Sequence, residues 1–379
     1  MAAQLFEVSG YAATTMADIA KAAGVLPGSL YYHFASKEEI AVEILAELDR
    51  DLNALAATVS RHLSATGDGP EDRVRYLAEE VTALSVRRGA ALRLYSYEAP
   101  SAATERFRAA LRLQAPALEK VWKRALDGLV PKDSPNARDL GLLRFALHRL
   151  TLHATINLPG RTDARYLARQ ICDLLLHGMI IDCPDDRALD ASEAVQAAQA
   201  AIDDWPPPPR PTGSGSREDI IAAARTEFAR RGYNATTIPD VAEAAGGRMG
   251  TLYRRVDSKE EILSEILQSY SGHMDRALRS ALTAGTSVAA AVDAFTLVLV
   301  HAKRRFREET DIVKFGSRGD RPANAPFEEY FKQTQARLRL LEQVLARGIA
   351  ERSVRPIGAP AELGLHVRSI AWVPYQDFA

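Results

Sequence analysis

Two segments of the chain decide its fold: Gly10–Ile40, GYAATTMADIAKAAGVLPGSLYYHFASKEEI, and Gly232–Ile262, GYNATTIPDVAEAAGGRMGTLYRRVDSKEEI. They align without a gap at a constant offset of 222 residues (232 − 10), and 18 of the 31 aligned positions are identical. Because each copy must fold into the same unit, the repeat predicts two tandem units. Between them lies Asp203–Ser216, DDWPPPPRPTGSGS, whose four consecutive prolines exclude a helix and whose Gly/Ser end is flexible. We predict a linker there.

Composition sets limits on the kind of protein. The 379 residues are 47% hydrophobic and 26% charged, which is enough for more than one packed core. With 48 Lys plus Arg against 49 Asp plus Glu, any contact with a polyanion must come from local patches. Cys172 and Cys183 form neither a disulfide framework nor a metal motif, so we expect two free thiols.

Targeting features are lacking in the sequence. The N-terminus lacks the basic segment, the apolar stretch and the cleavage site of a secretory signal. We therefore expect a cytoplasmic, nucleoid-associated protein. The longest apolar run, Ser287–Ala302, contains Asp293 and is shorter than the ~20 residues that a membrane span needs. We predict a buried helix for this run and no membrane partner.

The rest of the chain has apolar residues at three- and four-residue spacing and no clear strand pattern, which predicts an all-α fold. The amphipathic stretches are Glu71–Arg87, Glu105–Leu129, Asp139–Thr155, Asp163–Met179, Phe327–Arg352 and Pro360–Trp372.

Helix signals within the first copy predict two short helices. Thr15 caps a helix with Asp18 three residues later, and this helix, Met16–Ala23, ends at Gly24. Pro27 suits the first turn of a second short helix. Two short helices joined by a turn that contains glycine form a helix-turn-helix.

A third signal follows in each copy. Ser36 and Glu39 form a capping box that starts a longer helix, and Lys37 stands at its first position, where a lysine beside free helix amides can meet a phosphate. The second copy repeats these features with Thr237 and Asp240, the turn at Gly246 and Gly247, and the box Ser258-Lys259-Glu260-Glu261.

Both segments resemble the signature of the tetracycline-repressor (TetR) family, in which an aromatic-rich recognition helix ending in LYxHF or a relative precedes SKEE. The resemblance implies that each unit holds a three-helix DNA-binding domain and a helical ligand-binding and dimerisation domain. In this family two chains pair through their last two helices, so that two recognition helices enter successive major grooves roughly 34 Å apart. Here one chain supplies both, an intrachain pseudo-dimer on double-stranded operator DNA.

The resemblance also implies particular DNA contacts in each copy. In the first copy they are Thr15, Pro27, Gly28, Ser29, Tyr31, Tyr32, His33 and Lys37. In the second they are Thr237, Arg248, Met249, Gly250, Thr251, Tyr253, Arg254, Arg255 and Lys259. Leu30 and Leu252 are expected in the core, and the alternative for Tyr31 and Tyr253 is a half-buried ring that braces the helix.

The copies differ where they should touch DNA. Leu26-Pro27 and Tyr32-His33 become Arg248-Met249 and Arg254-Arg255. Arginine can bind guanine bidentately, which discriminates against the wrong base by ~1–3 kcal/mol. Because only the second copy has these arginines, we predict an operator with two unlike half-sites.

Two departures from the family concern the ends of the repeats. An amphipathic helix, Arg217–Arg231, precedes Gly232, but the chain begins nine residues before Gly10. Either Met1 is not the natural start, or the first half lacks the phosphate contacts and core support of that helix. Residues 1–50 also hold three basic and seven acidic residues, a net charge of −4. The second repeat offers Pro360–Trp372 and no last helix, which leaves self-association of the chain open.

The predicted domains follow from these signals: 1–49, the first helix-turn-helix domain with a truncated first helix; 50–183, the first regulatory domain; 184–216, a linker; 217–271, the second helix-turn-helix domain; and 272–379, the second regulatory domain without its last helix.

The family's regulatory domains bind a small apolar or amphipathic effector that releases DNA. Candidate polar contacts to such an effector are Tyr95, Tyr97, Glu98, Arg106, Trp122, His148 and His153 in the first repeat, and His301, Arg305 and Phe315 in the second. The alternative for each is ordinary packing or an exposed position.

No sequence motif indicates an enzyme, a cofactor or a metal site, since GxSxG, a Walker-type lysine loop and HExxH are all lacking. The prediction is a ligand-responsive transcriptional regulator that acts as a repressor. The alternative is a helical small-molecule sensor, or a scaffold for a protein partner, whose first repeat is silent toward DNA.

Overall fold

The fold is taken from a computed structural model, which describes residues 1–11, 13–97, 105–111, 115–131, 134, 139–213, 216–246, 254–282, 287–318, 321–322 and 324–377. Over these residues the chain is all-α, as predicted, apart from one antiparallel pair of two-residue strands, β1 (Ser317–Arg318) and β2 (Arg321–Pro322). The chain divides into two compact units.

The first unit comprises Met1–Ser96, Glu105–Ile181 and the segment that begins at Arg355. Its helices are α1 (Ala2–Ser9), α2 (Met16–Ala23), α3 (Pro27–His33), α4 (Lys37–Ala65), α5 (Pro70–Arg87), α6 (Gly89–Tyr97), α7 (Glu105–Ala110), α8 (Pro116–Ala125), α9 (Leu140–Leu152), α10 (Ala154–Asn157), α11 (Ala164–His177) and, from the C-terminal segment, α20 (Pro360–Asp377). The long helix α4 buries Leu45, Leu48 and Leu52, one stripe at helical spacing, against α5, α7 and α8.

The second unit is built on Asp182–Val354. Its helices are α12 (Asp186–Asp190), α13 (Glu193–Asp203), α14 (Arg217–Arg231), α15 (Ile238–Ala244), α16 (Lys259–Leu282), α17 (Val288–Arg305), α18 (Arg307–Gly316) and α19 (Ala325–Ala350). Helix α16 packs along α19, and α14 packs against α15, α16 and α18. The predicted buried helix at Ser287–Ala302 is α17, with Ser287 as its N-cap.

Part of the predicted linker, 184–216, is helical instead, which corrects that boundary. Helix α13 buries Ala194, Ala198 and Ile202 against α16 and α17. Ser192 caps this helix by accepting a hydrogen bond from the backbone N–H of Val195. The segment helps to form the core of the second unit because its small apolar residues recur every fourth position.

The C-terminal helix also corrects the predicted domain 272–379, because α20 lies in the first unit and packs against α9 and α10. Its buried stripe is Leu363, Val367 and Ala371. The buried Glu362 carboxylate accepts hydrogen bonds from the Tyr166 hydroxyl (2.7 Å) and the Gln170 side-chain amide (2.9 Å). The second regulatory region therefore ends at Val354 in this fold.

Two further expectations concern the thiols and the membrane. Cys172 is buried, Cys183 is exposed, and both are free. Within the part of the chain that the structure describes, no helix is both long and apolar enough to cross a membrane.

Candidate nucleic-acid interface

The first copy forms the predicted helix-turn-helix. Thr15 Oγ1 accepts a hydrogen bond from the Asp18 backbone N–H (3.1 Å), and the Thr15 backbone N–H donates to the Asp18 carboxylate (2.9 Å). This capping box starts α2, and the hydrogen bond from Thr15 lowers the pKa of Asp18. Helix α2 ends at Gly24, whose φ of 70° is the left-handed conformation that favours glycine. Helix α3 begins at Pro27 after this turn.

The second copy repeats the frame in atomic detail. Thr237 and Asp240 form the same capping box, with the Asp240 backbone N–H 3.3 Å from Thr237 Oγ1 and the Thr237 N–H 2.7 Å from the carboxylate. Gly246, at φ 68°, occupies the position of Gly24. The sequence copies are therefore structural copies as far as the turn.

Helix α3 presents a mostly uncharged surface. Leu26 is 79% exposed, Tyr31 55% and Tyr32 86%, whereas Leu30 is buried at 8%, as predicted. Tyr31 is thus more exposed than buried, and Tyr32 is almost fully exposed. An exposed aromatic surface on the second helix of a helix-turn-helix is free to contact a base edge or a phosphate.

Most described members of the predicted DNA-contact set are exposed: Thr15, Pro27, Gly28, Ser29, Tyr31, Tyr32, His33, Thr237, Arg254 and Arg255. Arg248, Met249, Gly250, Thr251, Leu252 and Tyr253 lie outside the described residues. The structure thus describes the whole predicted DNA-contact surface of the first copy. In the second copy it describes only residues on either side of the recognition segment, such as Thr237 and Arg254.

The two lysines of the set form hydrogen bonds within their own domains. Lys37 Nζ donates to the carbonyl oxygens of Tyr11 (2.7 Å) and Thr14 (3.0 Å). Lys259 Nζ donates in the same way to the carbonyls of Tyr233 and Thr236, and burial lowers its pKa. These amines tie the start of the long helix to the segment before the capping box. They help to position the domain. A phosphate contact was predicted for a free ammonium group at a helix start, whereas both ammonium groups are bonded internally.

The short first helix still supports its domain. Phe6 of α1 is buried and meets the Tyr11 ring edge-on at 5.3 Å, as Phe228 of α14 meets Tyr233 at 5.1 Å. Of the two alternatives for the short first helix, loss of core support does not apply to this contact. The longer helix α14 also forms ion pairs at its start, from Arg217 to Glu261 and Glu265 of α16.

The interrepeat strap, residues 205–213, is fastened to the second helix-turn-helix domain and is not a free tether. The Arg225 guanidinium of α14 donates to the Pro209 carbonyl oxygen and pairs with Glu308 of α18 (2.6 Å). The backbone N–H of Thr212 donates to the buried Asp219 carboxylate at 2.7 Å. Sequence reasoning missed this strap because a proline run indicates only that no helix forms.

Candidate effector contacts in the first unit divide into three groups. Trp122 is fully buried, and within the described part of the chain neither its Nε1 nor the buried His148 Nδ1 has a hydrogen-bond partner. His153 is satisfied, because its ring nitrogens lie 3.0 Å from the Arg149 carbonyl oxygen and from the Ser96 hydroxyl. Arg106 is exposed, which does not suit a residue lining a cavity.

The remaining candidates are less informative. Tyr95 is half-buried, Tyr97 ends α6, and Glu98 lies outside the described residues. In the second unit Arg305 donates to the Trp205 carbonyl oxygen (2.8 Å), and its role is to hold the strap. His301 and Phe315 are half-buried. Among the described residues, no group of three His, Cys, Asp or Glu side chains could hold a metal ion.

Comparison with known proteins supports this geometry. The family model for bacterial regulatory proteins of the tetR family matches residues 1–44 and 220–266, the two helix-turn-helix segments. The chain is similar to the HTH-type transcriptional repressor KstR2 of Rhodococcus jostii (strain RHA1), at 38% identity over 91 residues, 24% of this chain and 45% of that protein. It therefore spans less than half the length of that relative.

Two further relatives cover more of their own length. KstR2 of Mycolicibacterium smegmatis is 26% identical over 168 residues, 44% of this chain and 81% of that protein. The solved structure of the ketosteroid transcriptional regulator KstR2 of Mycobacterium tuberculosis matches 42% of this chain and 82% of its own, at 21% identity and a TM-score of 0.37. The curated relatives are named as HTH-type transcriptional repressors. The family match thus covers both helix-turn-helix segments, which are the TetR-type parts of this chain.

Proposed function

We propose that the chain is a transcriptional repressor that holds an operator through two unlike helix-turn-helix domains and releases it on binding a small effector. Such a repressor works in the cytoplasm, at the nucleoid. The observation that carries the proposal is that the capping box, the turn glycine and the internally bonded lysine recur in both copies. A frame kept in this detail supports DNA binding by both copies.

The side chains of the two recognition segments, the readers of the two half-sites, favour unlike half-sites. Leu26, Tyr31 and Tyr32 offer apolar and phenolic groups, which suit thymine methyl groups and phosphate oxygens. Arg254 and Arg255 add exposed positive charge at the end of the second recognition segment, which suits guanine or phosphate. The second domain therefore supplies most of the salt-dependent affinity.

Helix α20 supports pairing within one chain. It follows the second repeat in sequence but packs on α9 and α10, with side-chain hydrogen bonds to α11 of the first unit. The family pairs through its last helices, so in our proposal α20 takes the place that a second chain would fill. The chain then acts as a monomeric pseudo-dimer, without further self-association.

Effector binding in the first unit is supported by unpaired polar atoms in its core. Thr82 Oγ1 of α5, Trp122 Nε1 of α8 and His148 Nδ1 of α9 are buried with no hydrogen-bond partner among the described residues, and the three helices pack against one another. A buried polar atom left unpaired costs about 1–3 kcal/mol. A small amphipathic molecule with one or two polar groups would satisfy such atoms.

A second candidate is a sensor or protein scaffold whose first repeat is silent toward DNA. The observation that favours it is the charge of the first domain. Of the three basic residues in 1–50, Lys37 is bonded internally and Arg50 pairs with Glu43, which leaves Lys21 and a net charge of −4. Weak basic charge predicts weak phosphate binding.

The test is binding of the purified chain to the DNA upstream of its own gene, with sedimentation to give the stoichiometry and footprinting of both half-sites. One chain protecting two unlike half-sites supports the pseudo-dimer. A perfect palindrome protected equally on both halves contradicts the unlike readers. Protection of one half-site, or no specific binding, favours the sensor.

A further inference from the structure

A buried arginine in the second unit has no carboxylate oxygen closer than 3.9 Å among the residues that the structure describes. Arg337 of α19 is 3% exposed. Its guanidinium donates to the Ser271 hydroxyl of α16 (2.7 Å) and to the Thr334 hydroxyl (2.9 Å), which are neutral acceptors. Removing a cation from water is costly unless an anion lies close to it.

The carboxylate that pairs with Arg337 is a weak partner. Asp275 Oδ1 lies 3.9 Å from the guanidinium, at the outer limit of an ion pair, and the Asp275 side chain is 36% exposed. The other oxygen of Asp275 is 2.6 Å from Arg279. The positive charge of Arg337 is thus only partly compensated by the described residues of this unit.

Aromatic rings enclose the same place. The guanidinium lies 5.7 Å from the centroid of the Tyr330 ring, which stacks on Tyr270 at 5.8 Å. The Phe306 ring also packs against Tyr270, at 5.4 Å. The Tyr270 side chain is buried, and this burial raises the pKa of its hydroxyl. An apolar wall with a few convergent polar groups is typical of small-molecule sites.

We propose that Arg337 binds the carboxylate of an organic acid whose apolar body packs against Tyr270, Phe306 and Tyr330. A carboxylate matches the planar guanidinium in two parallel hydrogen bonds and brings the one negative charge that the buried cation lacks. A phosphate, with nearly two charges, would leave excess negative charge buried. The proposal rests on the proposed function, since it names the chemical class of the effector in the second unit.

The test uses the full chain and four probes: decanoate, 2-naphthoate and the methyl ester of each. Calorimetric titration and thermal unfolding report binding. We expect at least one acid to bind and raise the Tm, and its ester to bind at least about tenfold more weakly. Arg337→Met should weaken binding of the acid by about ten- to hundredfold and leave binding of the ester unchanged. Arg339→Met, at an exposed position of α19, is the matched control and should bind the acid like the parent chain.

Two further variants keep the test decisive if Arg337→Met folds poorly. Arg337→Lys keeps the charge and loses the planar fork, so the acid should bind with intermediate affinity. Ser271→Ala removes one hydrogen bond that orients the guanidinium and should weaken acid binding less than Arg337→Met does. The site is overturned if neither acid binds the parent chain, if acid and ester bind equally, or if the Arg337 variants bind the acid like the parent.

Operator binding in the same preparations separates this proposal from the proposed function. Operator binding without acid binding overturns the organic-acid site alone. Failure of the parent chain to bind DNA overturns the repressor function, whatever the probes do.

Discussion

The Lys37 amine lies 2.7 Å from the carbonyl oxygen of Tyr11 and 4.7 Å from the centroid of the Tyr11 ring. Lys259 and Tyr233 repeat this relationship, at 3.0 Å and 4.3 Å. One lysine in each copy thus holds the segment before the capping box on the start of the long helix. Without this tie, the helix-turn-helix would lose a fixed orientation on α4 or α16.

Replacing either lysine should loosen its own domain. Lys37→Met or Lys259→Met removes two charge-assisted hydrogen bonds to carbonyls, and we expect a loss of about 1–3 kcal/mol in the free energy of unfolding, measured in urea. Operator affinity should fall with it. Lys21→Met, an exposed lysine of α2, is the control and should change stability little. A lysine variant that keeps full stability but loses salt-dependent operator affinity would show that the lysine contacts a phosphate directly.

The strap should couple the second helix-turn-helix domain to its regulatory helices. Arg225→Met leaves the Pro209 carbonyl without its donor and the Glu308 carboxylate without its partner, and we expect a loss of about 3 kcal/mol in stability and faster proteolysis within residues 205–213. Thr212→Val removes only the hydrogen bond from the Thr212 hydroxyl to the Asp219 carboxylate (3.0 Å), keeps the backbone one, and should cost less. Arg230→Met, whose side chain is 51% exposed, serves as the control. Equal cleavage of all three variants would show that the strap is not held in solution.

Helix α20 should detach on acidification. Burial lowers the pKa of His366 to about 4. His366 faces Gln170 of α11 and lies near Glu362, whose negative charge opposes this shift. Because the folded pKa is below the ordinary value of 6.5, the histidine stabilises the docked helix fully above about pH 6.5 and loses this contribution as the pH falls toward 4.

The loss from His366 should reach about 3 kcal/mol. Hydrogen exchange of the α20 amides between pH 7 and pH 4.5 measures it. His366→Gln should flatten the pH dependence, and His177→Gln, at an exposed position of α11, should not. A His366→Gln chain with an unchanged profile would assign the dependence to another group, such as His148, whose pKa burial also lowers to about 4.

The two readers should respond differently to salt. Arg255→Ala should lower operator affinity and reduce the slope of log affinity against log salt by about one. Tyr32→Ala should lower affinity with little change of slope, because the lost group is uncharged. Binding titrations between 50 and 200 mM salt, on an operator with each half-site altered in turn, separate the two. Equal slopes for both variants would contradict a more basic second reader.

The sequence by itself determined the local elements and their repetition. Capping residues such as Thr15, turn glycines such as Gly24 and the apolar periodicity act within a few residues, so α2 and α14 could be predicted with their bounds and α3 with its start. The resemblance to the family signature placed Leu30 in the core, where the structure has it. The two TetR-type segments were visible for the same reason.

Only the tertiary structure decided where distant segments meet. It placed α20 with the first unit, made α13 part of the second, fastened the strap through Arg225 and gave Lys37 an internal partner 26 residues away. Sequence pattern shows which face of a helix is apolar but not which surface will cover it, because burial free energy is non-directional and the partner is selected by the packing of the whole chain.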